Sequence, residues 1–67
     1  MNFSAKNLVR ILLSKGYVFK RSNGSHHLYN NKETGKTIIV PMQGNRSIPK
    51  GTFFAILKQA DIDKMDM

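Results

Sequence analysis

Two apolar stripes at helical spacing, one towards each end of the chain, bracket three short runs of strand-forming residues. This change of period, from 3.6 to 2 and back, limits the possible folds more than any other feature of the sequence. In the first stripe Leu8, Val9, Ile11, Leu12 and Leu13 follow helical spacing, with Lys6, Arg10 and Ser14 on the other side. Ser4 precedes it as a good N-cap, because its hydroxyl can accept from the first free backbone N–H groups. Lys15 suits the last turn and Gly16 the left-handed position beyond it, so the spacing predicts a helix over residues 5–15. In the second stripe Phe53, Phe54, Ile56, Leu57 and Ala60 recur at the same spacing. Pro49 fits a first helical turn, which predicts a helix over 49–60.

Between the stripes, Tyr17-Val18-Phe19-Lys20-Arg21 is β-branched and aromatic and reads as a strand. Ser22-Asn23-Gly24 carries turn chemistry, so a second strand is expected from Ser25 to about Asn30. Asn31–Gly35 forms a second turn, and Lys36–Pro41 a third strand ended by proline. A polar loop follows at Met42–Ile48, and the residues after 60 read as frayed. No repeat or linker divides residues 1–67, which read as one domain. The fold class is α+β: an αβββα order with a three-stranded antiparallel sheet. Two amphipathic helices would pack on one face and leave the other partly wet. Chains of this order commonly resemble the double-stranded-RNA-binding domain, although a fold alone does not assign function.

A chain of 67 residues has a thin stability margin and usually needs a staple, yet there is no cysteine. Disulfides and thiolate metal sites are excluded together, and two adjacent histidines make a poor zinc site. No metal or cofactor is expected. The N-terminus lacks the build of a signal peptide, and no apolar run approaches the length of a membrane span. A cytoplasmic protein with no membrane partner is the expectation. The formal net charge is +7. Residues 1–60 hold ten of the eleven Lys and Arg against the single acid Glu33, whereas the tail carries Asp61, Asp63 and Asp66 against Lys64. A surface this basic attracts polyanions and releases their counterions, although it also serves solubility.

Only Gly24-Ser25-His26-His27 has catalytic potential. Histidine exchanges protons near neutral pH, and RNA cleavage needs a base for the 2′-hydroxyl and cations for the phosphate. The nucleophile belongs to the substrate, so a short basic chain with one placed histidine suffices. Strand alternation separates the pair: His26 shares a face with Leu28, and His27 with Tyr29. If Leu28 is core, His26 lies at the core margin, partly desolvated, and His27 faces outward. From spacing alone the plainer reading makes both of them ordinary strand histidines. Ser25 is a poor nucleophile, because adjacent strand residues face apart and no carboxylate stands nearby. Free N–H groups around Gly51 could hold a phosphate, with simple capping as the plainer reading. Candidate phosphate contacts are Lys20, Arg21, Lys36, Arg46 and Lys50. Tyr17 and Tyr29 could stack on bases, whereas Phe53 and Phe54 read as core.

Four stretches in order resemble the HicA (YcfA-like) toxins of bacterial toxin–antitoxin pairs. They are Leu12-Leu13 with Lys15-Gly16-Tyr17, then Arg21 before Gly24-Ser25-His26-His27, then Ile39-Val40-Pro41, and last Lys50-Gly51-Thr52 leading into Ile56–Ala60. Together they span residues 8–62. The resemblance implies the toxin of a type II system: a ribosome-independent endoribonuclease acting on mRNA, with a double-stranded-RNA-binding-domain-like fold. It also implies neutralisation by a HicB-type antitoxin. The histidine after Gly-Ser is the catalytic one in this family, which maps to His26, with Gly24 and Ser25 as surrounding motif and His27 secondary. Many relatives have a histidine shortly after Val-Pro, where this chain has Met42-Gln43, so a one-histidine mechanism is implied. A non-catalytic RNA- or DNA-binding module using the same basic face is the alternative, and an interaction domain for an acidic protein a third.

Overall fold

In a computed structural model, residues 2–42 and 47–63 are described. The elements run α1 (Ala5–Ser14), β1 (Tyr17–Asn23), β2 (His26–Asn31), β3 (Thr37–Pro41) and α2 (Lys50–Gln59), which is the αβββα order expected. The three strands form an antiparallel sheet in the order β1-β2-β3, as short connections dictate.

Local chemistry sets the helix ends. The Ser4 side chain accepts from the Asn7 backbone N–H at 3.0 Å, capping α1. Gly16 follows the C-cap Lys15 at φ +94, a conformation that an L side chain resists. The end of α2 corrects the sequence reading, which took the residues after 60 as frayed. Asp61 adopts φ 58, its N–H bonds to the Lys58 carbonyl at 3.1 Å, and the Ile62 N–H reaches back to the Leu57 carbonyl at 2.9 Å. This double bond pattern is a Schellman cap, and aspartate tolerates the left-handed position better than most residues. It folds Ile62 into the core at 6% exposure.

Both helices cover one face of the sheet. Leu8, Leu12, Tyr17, Tyr29, Ile38, Val40, Phe53 and Leu57 all belong to the core between the layers. Phe3 adds edge-on contacts with Phe53 and Phe54, at centroid separations of 5.2 and 5.7 Å. Ile48, expected in a polar loop, is also buried, held by its N–H bond to the Phe3 carbonyl at 2.8 Å. Truncating the fully buried Phe53 to alanine is expected to cost about 3–5 kcal/mol. That approaches the whole stability of a small domain.

The opposite sheet face is uncovered, as expected. Val18 and Ile39 stand about half exposed on it. Which residues face which way departs from simple alternation at one point. The register of β1 against β2 shifts between Phe19 and Arg21, so that Lys20 is an extra residue in a β-bulge.

Candidate active site

The Gly24-Ser25-His26-His27 segment forms the tip of the β1–β2 hairpin. The turn lies one residue later than the sequence suggested. Ser22 and Asn23 remain in β1, Asn23 pairs with His26, and only Gly24 and Ser25 make the loop. Gly24 sits at φ 61, the positive value that a two-residue hairpin loop demands of its first position. The Ser25 carbonyl accepts from the Met42 N–H at 2.6 Å, which ties the loop to the end of β3. His26 is therefore the first strand residue after a short, anchored loop.

His26 pairs with Asn23 on one side and Pro41 on the other, while Leu28 pairs with Arg21 and Ile39. Side chains opposite one another in antiparallel strands share a face. Accordingly Arg21, Asn23, His26, Leu28 and Ile39 line one open depression of about 440 Å³ on the uncovered face. His26 is exposed there.

This corrects the expected placing of the two histidines. The core margin was assigned to His26 on the premise that Leu28 is core. Leu28 is only partly buried, and the face under the helices is that of Tyr29, Ile38 and Val40. Two apolar sets compete for the covered side, and Tyr17, Tyr29, Ile38 and Val40 offer more surface to bury than Val18, Leu28 and Ile39. His27, opposite Ser22 and Val40, takes the covered side near its edge. Its ring lies edge-on to Phe19 at 5.6 Å. The two imidazoles diverge, and among the described residues no group of three or more His, Cys, Asp or Glu is placed to hold a metal ion.

The tyrosines proposed as stacking faces are not available to a base. Tyr17 is 2% and Tyr29 5% exposed, and the Tyr17 hydroxyl donates to the Ala60 carbonyl at 3.0 Å. Burial also pushes the Tyr29 phenol above its ordinary value of 10.0. An aliphatic surface, formed by Val18, Leu28 and Ile39, stands in their place on the open face. Sequence reasoning missed it because those residues read as ordinary strand hydrophobics.

The cations divide. Arg21 borders the depression, and Lys20, the bulged residue next to it, is exposed. Lys36 precedes β3 at the far end of the sheet, five residues or about 16 Å from the position opposite His26. Its ammonium pairs with Asp61. It is a structural ion pair remote from the hairpin tip, not a neighbour of His26. Lys50 opens α2 and is exposed on the helix side, and Arg46 lies outside the described residues. Among the described residues no acid stands beside Ser25: Glu33 is in the second turn, Asp61 is with Lys36, and Asp63 follows the cap of α2.

α1 hands over to β1 at Tyr17, and Tyr17 also touches Ala60 at the end of α2, so both helix C-termini lie at the Tyr17 end.

The fold and site define a small basic α+β protein that brings His26 and Arg21 together on an uncovered sheet face. A family model described as the HicA toxin of bacterial toxin–antitoxin matches residues 5–62, from the first residue of α1 to the cap of α2. The chain belongs to the HicA toxin family. Comparison with curated proteins gives no match.

Proposed function

We propose that this toxin is a metal-independent endoribonuclease that cuts mRNA in the cytoplasm, with His26 as its general acid–base, and that a HicB-type antitoxin neutralises it. The observation that carries the reading is the shared depression of His26 and Arg21 on the open face. In the reaction the 2′-oxygen of RNA attacks the adjacent phosphorus and its proton passes to the His26 imidazole. The bond from phosphorus to the 5′-oxygen breaks, and that oxygen takes a proton from water. The products are a 2′,3′-cyclic phosphate and a 5′-hydroxyl. His27 faces the other side of the sheet, which supports a one-histidine mechanism.

The test is to incubate the purified chain and its His26→Ala form with a long single-stranded mRNA in EDTA. Cleavage by the wild type and a loss of about 10²–10⁴-fold in the variant are expected. RNA that is bound in a salt-sensitive way yet stays intact would favour the non-catalytic binding module.

A further inference from the structure

The bulge at Lys20 decides where Arg21 points. Tyr17 and Phe19 lie on the covered side, opposite Asn31 and Tyr29. Unbroken alternation would carry Arg21 and Asn23 to that same side, where a guanidinium would meet the edge of the core. The extra residue resets the count, so that Arg21 comes opposite Leu28 and Asn23 opposite His26 on the open face. Bulges re-aim side chains in this way next to binding sites.

Arg21 and His26 are then diagonal neighbours across the strand pair, a separation of about 7–8 Å with the Cβ atoms somewhat closer. A single phosphodiester fits between an imidazole and a guanidinium at that separation. Among the described residues no carboxylate or amide oxygen pairs with the Arg21 guanidinium, whereas Lys36 is paired with Asp61 at the end of α2. Its planar fork is thus free for two non-bridging phosphate oxygens, a match that a lysine ammonium lacks.

We propose that Arg21, turned to the open face by the Lys20 bulge, is a catalytic residue that grips the scissile phosphate beside His26. Leu28 and Ile39 form the aliphatic floor under the neighbouring nucleotide. The assignment rests on the nuclease reading for its catalytic part, and on RNA binding alone for the grip. As charge builds on the phosphate oxygens, a fixed fork at this point stabilises the transition state more than the ground state.

The experiment compares wild type, Arg21→Ala, Arg21→Lys and Lys6→Ala, the last altering an exposed cation on α1 away from the depression. Single-turnover cleavage is measured with one RNA. Affinity is measured over a salt series with the same RNA carrying 2′-deoxy substitutions that prevent cleavage. Arg21→Ala is expected to lose about 10²–10³-fold in rate. Its slope of log affinity against log salt should fall by about 0.7, one phosphate contact on a single strand. Arg21→Lys should restore the slope but little of the rate, and Lys6→Ala should change neither. Arg21→Ala cutting at the wild-type rate with an unchanged slope would overturn the proposal and leave the His26 reading standing. A wild type that binds without cutting, with a smaller slope in Arg21→Ala, would keep the grip and overturn the nuclease. A wild type that neither binds nor cuts overturns both.

Discussion

The Tyr17 hydroxyl donates to the Ala60 carbonyl at 3.0 Å inside the core, joining residues 43 positions apart. It fastens the end of α2 to the start of β1, and so holds one helix over the sheet. Tyr17→Phe keeps the ring but leaves that carbonyl without its donor. A loss of about 1–3 kcal/mol is expected, read as a lower urea midpoint at unchanged m-value. RNA cleavage by the folded fraction should be unaffected, because the bond lies at the end of the sheet away from His26.

Gly24 separates backbone strain from crowding. At φ 61 a side chain is strained, yet a Cβ there meets nothing within 4 Å. Gly24→Val should therefore destabilise by about 1–2 kcal/mol through the backbone alone. Gly24→Asn should cost less, since asparagine accepts left-handed conformations. Thermal melts of the two variants rank them directly, and equal losses would contradict a backbone origin.

His27 tests the opposed faces. His27→Ala removes an edge-on contact with Phe19, for which about 0.5–1.5 kcal/mol is expected. Its cleavage rate, measured where the variant is fully folded, should stay within a few-fold of wild type. A loss as deep as that of His26→Ala would place both imidazoles at the reaction.

Tyr29 adds a dependence on alkaline pH. Burial raises its folded pKa above 10.0, so the folded state holds the phenol proton more tightly than the unfolded state does. Its contribution is fully present below the unfolded value and is lost as pH rises through the folded one. Wild type should therefore lose stability from about pH 10 upward, and Tyr29→Phe should lose less over the same range. Urea midpoints at pH 8, 10 and 11 check the sign.

Much of the architecture was legible in the residues. Ser4 and Gly16 marked the ends of α1, and the turn residues between strands imposed an antiparallel order. Signals of that kind are local, which is why they can be read one segment at a time. Asn31 shows where such reading stops. It looked like turn chemistry, yet it closes β2 as a buried polar residue, 7% exposed. Its side chain accepts from the Glu33 N–H at 2.9 Å and donates to the Lys15 carbonyl at 3.4 Å. The second bond joins it to the end of α1, a partner that no neighbouring residue announces.

The candidate site divides in the same way. Its histidine, its glycine and its cations stood out by type and spacing, because hairpin turns and phosphate chemistry need particular residues. The sequence by itself determined the elements, their order and the split of His26 from His27 onto opposite faces. Only the tertiary structure decided which face the helices cover, and so which histidine meets solvent. That choice depends on the total apolar surface of three strands meeting two helices, a sum no single strand contains. The bulge that brings Arg21 to the side of His26 is likewise a property of paired strands, since an extra residue exists only relative to a partner.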